Sequence, residues 1–208
     1  RSALVEGLPK HGRVVLPQTF VDDAHLPGLL SKKLNRVIYS APADGFEKPY
    51  QAVNAGLALT AVKALGLNEQ AAHASMLKLP PDISDFKVVT HNDAKISMAF
   101  SANDILSTQK LFQGLSWPEN ETRLIYNHRR DRPERLKSFL SWLNTPNWRQ
   151  VLITGDRPVG LTGRLQYTRI RSPQQFLQQL KPGEQIFGCG NTKGFPVELM
   201  TDASFMRA

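Results

Sequence analysis

Cysteine is nearly absent from this chain of 208 residues, in which Cys189 is the single example. One cysteine excludes an internal disulfide and any metal site built from several thiolates, and it fits a reducing compartment. No apolar run reaches the roughly 18 residues needed to cross a bilayer, and the first residues lack the pattern of a secretory signal. We therefore expect a cytoplasmic chain that does not insert itself into a membrane.

Several motifs of common site types are also missing. The five histidines lack the spacing of a metal site. Neither the nucleophile elbow of serine hydrolases nor the His-Glu-x-x-His pattern of zinc hydrolases occurs. Nothing near Cys189 in the sequence forms a Cys/His pair, so we expect this thiol to pack in the core. These absences argue against hydrolases and against a metal centre within this chain.

Positive charge is plentiful and unevenly placed. The formal net charge is +8, and residues 121–171 alone carry 11 Lys and Arg against 4 Asp and Glu. Such a field attracts phosphates, polyanions or acidic substrates, with nucleic acid as an alternative partner. Aromatic residues do not interleave with the basic ones as in RNA-recognition modules, and zinc-finger and helix-turn-helix patterns are missing. We expect no nucleic-acid partner, while a merely solvated basic face remains the simplest alternative.

The first part of the chain has an α/β pattern. Residues 12–16 and 35–39 are short β-branched runs typical of buried strands, and residues 50–67 repeat apolar side chains at helical spacing. The Leu-Pro-Pro-Asp segment at 79–82 stops any helix and predicts a domain boundary between residues 75 and 90.

Beyond that boundary, strand and helix patterns alternate. The predicted strands are residues 95–100, 122–127, 150–154, 166–171 and 185–188, and the predicted helices are residues 107–115, 133–144 and 172–180. This alternation predicts a Rossmann-like α/β domain, in which helices cover both faces of a mostly parallel sheet. Ligands of such sheets bind beyond the carboxyl ends of the strands.

Three polar segments fall at such strand ends. After the strand at 95–100, Asn103, Asp104 and Ser107 start a helix, where they suit a phosphate or ribose, although plain helix capping is the simpler explanation. The Asn-His-Arg-Arg-Asp-Arg run from residue 127 has the clustered guanidinium groups of an anion receptor, unless they pair locally with Asp131 and Glu134.

The third segment is the glycine-rich stretch 187–195. Its glycines allow the backbone to approach an anion, and Asn191, Thr192 and Lys193 supply polar and charged groups. The stretch is not a Walker loop, because Lys193 precedes glycine instead of Ser or Thr. A glycine-rich turn alone is weak evidence for a ligand.

Together these motifs resemble the Mur ligase superfamily, most closely the ligase subunits of poly-γ-glutamate synthases. The stretch 99–104 followed by Ser107 and Thr108 is similar to the opening of the C-terminal Mur ligase domain. The Asn-x-Arg-x-Asp-Arg run and the Phe-Gly-x-Gly-Asn segment also have counterparts in those subunits. Ala99 and Ser101 replace an acidic residue and a lysine of many Mur ligases, so those roles do not transfer.

The resemblance implies roles for individual residues. Asn103 and Asp104 would be catalytic, and Ser107 would contact the nucleotide. In the first α/β segment, Asn54 and its neighbour Gln51 would approach the adenine. The residues implied to bind substrate are Arg129, Asp131, Arg132, Asn191 and Lys193.

It further implies that residues 1–80 are the end of a central ATP-binding domain and residues 90–208 a C-terminal Rossmann-like domain. The activity would be ATP-dependent amide formation through an acyl phosphate, with glutamate or a glutamyl polymer as substrate. We expect a longer protein, inactive as this fragment, whose preceding part carries the phosphate-binding loop and most Mg²⁺ ligands. Integral-membrane synthase subunits would hold it at the inner face of the membrane. The alternative is a non-enzymatic anion- or nucleic-acid-binding module.

Overall fold

The computed structural model describes residues 5–33, 35–80, 82–102, 104–161, 163–202 and 205. The chain divides into two compact units, Arg1–Pro80 and Pro81–Ala208. Each unit has its own set of buried apolar side chains and is described by itself.

The first unit contains a parallel pair of strands, β1 (Arg13–Pro17) and β2 (Arg36–Ser40). Its helices are α1 (Leu26–Ser31), α2 (Pro49–Ala64) and α3 (Glu69–Met76), and a 3₁₀ turn spans Gln18–Phe20. Val5, Leu26 and Leu30 form its small buried cluster. The β-branched runs therefore form strands, and the alanine-rich stretch forms a helix, as the sequence predicts, but both strands are only partly buried instead of fully buried.

The second unit is built on a six-stranded sheet with the order β3-β4-β8-β5-β6-β7. The strands are β3 (Lys87–His91), β4 (Ala94–Met98), β5 (Thr122–His128), β6 (Gln150–Gly155), β7 (Gln166–Tyr167) and β8 (Gln185–Gly190). β3 is antiparallel to β4, and every other pairing is parallel. The prediction of an α/β fold with a mostly parallel sheet is confirmed.

Helices cover both faces of this sheet. They are α4 (Ile105–Gly114), α5 (Pro133–Leu143), α6 (Pro173–Gln178) and α7 (Phe195–Thr201), and a 3₁₀ turn spans Glu119–Glu121. Helices α4 and α5 pack on one face, and α6 and α7 pack on the other. Since parallel strands are buried on both faces, β5 and β8 consist almost wholly of buried residues.

Aromatic side chains fill the face under α4 and α5. The ring of Phe112 lies edge-on to those of Trp148 and Phe187, with centroid distances of 4.8 and 5.1 Å. Trp142 meets Trp148 in the same way at 5.1 Å, and the indole N–H of Trp148 donates to the carbonyl of Trp142. Edge-to-face pairs of this kind add to the apolar burial, so they fix both helices against the sheet.

Several elements differ from the sequence prediction. The predicted strand at 166–171 ends at Tyr167, because β7 pairs with β6 at only two positions, Gln166 with Leu152 and Tyr167 with Ile153. The strand β3 and the helices α1, α3 and α7 were not predicted. Asn92 and Asp93, both with positive φ, form the tight turn that folds β3 back on β4. Helix α3 has no buried residue, so it lacks the apolar stripe that would have revealed it. None of the described helices combines the length and the hydrophobicity that a membrane span requires.

Gly188 provides a test of the packing between β8 and the segment after β4. A Cβ at Gly188 would lie 2.3 and 2.5 Å from two ring carbons of Phe100, a buried side chain of the face under α6 and α7. We expect Gly188→Ala to lower the free energy of unfolding by about 1–3 kcal/mol, because the ring must shift in a filled core.

Gly114→Ala is the matched control, since a Cβ there meets nothing within 4 Å. We expect this helical substitution to raise the free energy of unfolding by about 0.4–1 kcal/mol. Denaturant titration of both variants measures the difference. Equal stability of Gly188→Ala and the unmodified chain would contradict the packing described for Phe100.

Candidate active site

The candidate site lies at the carboxyl edge of the six-stranded sheet. Strands β5 and β8 are neighbours, but the helix after β5 packs on one face and the helix after β8 packs on the other. In a parallel sheet this arrangement opens a crevice between the two strand ends, where ligands of such folds bind. The polar segments that follow β4, β5 and β8 all meet at this edge.

Asp104 begins helix α4 at this edge. Its carboxylate accepts a hydrogen bond from the backbone N–H of Ser107 at 2.8 Å, and its carbonyl accepts one from the hydroxyl of Thr108. Partial burial alone would raise the pKa of Asp104, but the hydrogen bonds from Ser107 bring it below its ordinary value. Asp104 is therefore a capping residue that stays ionised, and Ser107 is exposed beside it. Asn103, the other predicted catalytic residue, lies outside the described residues.

The arginine run follows β5. The guanidinium of Arg129 forms a fork with the carboxylate of Asp131, with its Nε donating at 2.9 Å to Oδ1. This hydrogen bond lowers the pKa of Asp131 and raises that of Arg129. The local pairing that the sequence left open thus occurs for Arg129. Arg132 is exposed at the start of α5, with Pro133 in the first turn of the helix.

The β8–α7 loop, residues 191–194, lies beside this run. The side-chain amide of Asn127, at the end of β5, donates to the carbonyls of Asn191 at 2.6 Å and Lys193 at 2.8 Å. In return, the side-chain amide of Asn191 donates to the carbonyl of Asn127 at 2.9 Å. We refer to the Asn127–Asn191 pair as the amide lock. Asn191 is buried by it, whereas Lys193 is exposed.

Gly190 makes the amide lock possible. Its φ is +102°, and a Cβ at this position would lie 2.6 Å from the carbonyl oxygen of Asn127. Only glycine combines that backbone conformation with such a close approach between the strand ends. The glycine-rich composition of this stretch therefore serves the junction of β5 with β8, whether or not a ligand is bound.

Arg135 is a residue of this site to which the sequence analysis assigned no role. One of its guanidinium nitrogens donates to the carbonyl of Gly190 at 3.0 Å and to the side-chain oxygen of Asn191 at 2.8 Å. Burial lowers the pKa of Arg135, and the nearby charges of Arg132 and Arg129 lower it further, while Asp104 opposes them. Helical spacing could have indicated that Arg135 points toward the sheet, because it precedes the buried Phe139 by four residues and thus shares its face of the helix.

Three further polar groups are buried around the end of β5. The hydroxyl of Tyr126 and Nδ1 of His128 have no hydrogen-bond partner among the described residues. Burial raises the pKa of Tyr126, and it lowers that of His128 although Asp156 acts in the opposite direction. Burial also raises the pKa of the Cys189 thiol, which lies in the core as expected. In the part of the chain that the structure describes, no three His, Cys, Asp or Glu side chains form a cluster suited to a metal ion.

The structure thus brings most of the predicted site residues to one edge. Those at the carboxyl edge of the second unit are Asp104, Ser107, Arg129, Asp131, Arg132, Asn191 and Lys193. Gln51 and Asn54 belong to α2 in the first unit, where Asn54 is exposed and Gln51 is half-buried. Asn191 and Arg129 use their polar groups within the protein, so Arg132 and Lys193 present the more accessible charges of the predicted substrate residues.

Known structures share this fold. The murein peptide ligase mpl of Psychrobacter arcticus 273-4 aligns with a TM-score of 0.61 and 14% identity over 96% of this chain and 53% of its own. The folylpolyglutamate synthase of Thermotoga maritima aligns with a TM-score of 0.52 and 14% identity, covering 95% of this chain and 56% of its own. At this identity the similarity concerns the fold alone.

The sequence comparisons identify the family. The PGA synthase CapB of Bacillus subtilis (strain 168) is 31% identical over an alignment of 165 residues, which covers 68% of this chain and 41% of that protein. The chain therefore spans less than half the length of this curated relative. Residues 83–204 match the model of the poly-gamma-glutamate synthase CapB C-terminal domain. As its motifs predicted, the chain belongs to the family of the poly-gamma-glutamate synthase CapB C-terminal domain.

Proposed function

We propose that this chain is the C-terminal part of an ATP-dependent ligase that joins a carboxylate to an amine through an acyl phosphate. Its family membership over residues 83–204 is the observation on which the proposal rests. The relative named PGA synthase suggests glutamate or a glutamyl polymer as the substrate. The name of the folylpolyglutamate synthase that shares the fold is consistent with glutamyl addition.

The chemistry makes two demands that the carboxyl edge can meet. When the amine attacks the acyl phosphate, a C–N bond forms, the bond from carbon to the phosphate oxygen breaks, and the amine loses a proton. Positive charge must stabilise the departing phosphate, and the amine must be held close to the carbonyl carbon. Arg132 and Lys193 are exposed cations at this edge, and the N-termini of α4 and α5 add positive potential.

Roles for the individual side chains follow from this arrangement. Arg132 and Lys193 would bind the carboxylates of the amine substrate, with Arg129 joining them when its fork with Asp131 opens. Asp104, which stays ionised beside Ser107, would be the catalytic carboxylate, and Ser107 would contact the nucleotide. In the first unit, Asn54 and Gln51 would approach the adenine. Asn191 would act indirectly, by holding the β8–α7 loop in place.

ATP and Mg²⁺ differ in how well the described residues suit them. The exposed cations and helix N-termini suit phosphate groups. A magnesium ion prefers several oxygen ligands, and the described residues contain no cluster of acidic side chains that could supply them. We therefore assign no step of the reaction to a metal bound by this chain, and we expect the metal ligands to come from the rest of the protein.

The proposal extends to the setting of the enzyme. Residues 1–80 would be the end of the central ATP-binding domain, and the chain alone would be inactive. The complete enzyme would work at the cytoplasmic face of the membrane, with integral-membrane synthase subunits as partners, in the synthesis of capsular polymer. Each of these points rests on the kinship with the poly-γ-glutamate synthases.

Substitutions at Asp104 separate a catalytic role from capping. Asparagine caps a helix about as well as aspartate, so Asp104→Asn should leave the free energy of unfolding nearly unchanged, whereas Asp104→Ala should lower it by about 1 kcal/mol. If the charge serves the reaction, both variants of the full-length enzyme should lose amide formation at least roughly tenfold, or about 1.4 kcal/mol. On the resemblance alone, Asn103→Ala should show a similar loss.

Steady-state rates of amide formation and denaturant titrations measure the two effects. The catalytic assignment would be wrong if Asp104→Asn retained full turnover while Asp104→Ala lost only stability. In that case Asp104 would be a plain helix cap.

Substitutions at Arg132 and Lys193 test the amine site. Lysine keeps the charge but loses the planar fork of arginine, so Arg132→Lys should raise the KM for the amine roughly tenfold and leave the KM for ATP unchanged. Lys193→Ala should act in the same direction. Arg149→Ala is the matched control, because this exposed arginine precedes β6 and thus lies at the opposite edge of the sheet.

The nucleic-acid alternative makes a different prediction. Binding would then depend on total charge and salt concentration, so Arg149→Ala and Lys193→Ala would weaken it equally and Arg132→Lys would have little effect. Amine kinetics measured beside DNA and RNA binding across a salt series distinguish the two. Unchanged amine kinetics together with tight, salt-sensitive nucleic-acid binding would refute the proposed substrate site.

A further inference from the structure

Few contacts within the β8–α7 loop itself could hold it in place. Lys193 and Gly194 are exposed, and the loop begins directly after Gly190, whose φ is positive. Inside the loop segment, the backbone N–H of Val197 bonds to the carbonyls of Thr192 and Gly194 as α7 begins. The position of Lys193 therefore depends on contacts from outside the loop.

Those contacts come from the end of β5 and from helix α5. Asn127 reaches the loop from the end of β5 through the amide lock, which ties down the carbonyls of Asn191 and Lys193. Arg135 reaches it from the first turns of α5 and donates to the carbonyl of Gly190 and to the side chain of Asn191. The loop is thus attached to β5 and to α5, the strand and the helix on either side of the arginine run.

Arg135 is placed where a cation is costly. It is half-buried, and the nearby guanidinium groups of Arg129 and Arg132 disfavour its charge. A leucine would fill a half-buried helical position without repulsion or desolvation. The specific gain that arginine provides here is a charged donor for two oxygens of the loop, and charged donors make the stronger hydrogen bonds.

We infer that Arg135 is a positioning residue: together with Asn127 it fixes the β8–α7 loop and thereby sets the affinity for the amine substrate. The second half of this inference, the link to the amine, rests on the proposed function. The first half concerns the structure of the loop. Arg135 acts through its hydrogen bonds to Asn191 and Gly190, and we assign it no contact with the reacting atoms.

Substitution of Arg135 in the full-length enzyme tests both halves. Arg135→Gln removes the charge, and Arg135→Lys keeps the charge but replaces the guanidinium group. We expect amide hydrogens of residues 191–193 to exchange roughly tenfold faster in Arg135→Gln, since a charged hydrogen bond is lost. The KM for the amine should rise at least roughly tenfold, equivalent to about 1.4 kcal/mol of binding, while the KM for ATP stays unchanged. Arg135→Lys should show smaller increases than Arg135→Gln in both the exchange rate and the KM for the amine.

Lys137→Ala is the control on the same helix, because Lys137 is exposed and pairs with Glu134 on the surface. It should change neither exchange nor kinetics. Unchanged exchange of residues 191–193 in Arg135→Gln would overturn the inference, whatever the enzyme does. Faster exchange with an unchanged amine KM would overturn the link to the amine. Failure of the proposed function would be seen separately, because the full-length enzyme without substitutions would then form no amide.

Discussion

The amide lock between Asn127 and Asn191 is the interaction on which the site depends. Strands β5 and β8 send their following helices to opposite faces of the sheet, so their ends must diverge. Without a connection the crevice between them would have no fixed width. The two asparagines exchange side-chain and main-chain hydrogen bonds across it, and the contact is close because Gly190 has no side chain. These hydrogen bonds therefore set the width of the crevice.

The amide lock also leaves one buried polar atom of Asn127 without a hydrogen bond in the part of the chain that the structure describes. The side-chain oxygen of Asn127 is buried and accepts no hydrogen bond from the described residues. A buried polar atom without a partner is destabilising. An apolar residue would avoid this penalty, but it could not hold two carbonyl groups of the neighbouring loop. Arg135 shows the same balance, with a disfavoured charge retained for two specific bonds.

Sequence patterns predicted the parallel sheet well because its strands are short apolar runs separated by amphipathic helices. Helix α5 shows the reason, since Leu136, Phe139, Trp142 and Leu143 place one apolar stripe against the sheet. The patterns failed where tertiary pairing decides the outcome. Strand β7 pairs with β6 only at Gln166 and Tyr167, and no local property of the following residues records where this pairing stops.

For the candidate site, sequence reasoning identified the segments but not the use of each side chain. Arg129 and Asn191 were predicted to bind substrate, yet in the structure their polar groups bond to Asp131 and to Asn127 and Arg135. A sequence pattern gives the residue types at a strand end. It does not give the direction of each side chain, which depends on neighbours brought together by the order of strands in the sheet. The roles of these residues toward a ligand remain predictions.

The fork between Arg129 and Asp131 has a consequence for how an anion would be received. An exposed ion pair of this kind contributes little to stability, because water and salt screen it. Asp131 can therefore yield its place to another carboxylate without disturbing the fold. Until then it keeps the guanidinium of Arg129 extended and oriented, so that an incoming acid would meet an arginine whose rotamers are already restricted. If Arg129 binds the substrate as proposed, Asp131 would act as an internal mimic of the substrate carboxylate and would preorganise the arginine by pairing with it.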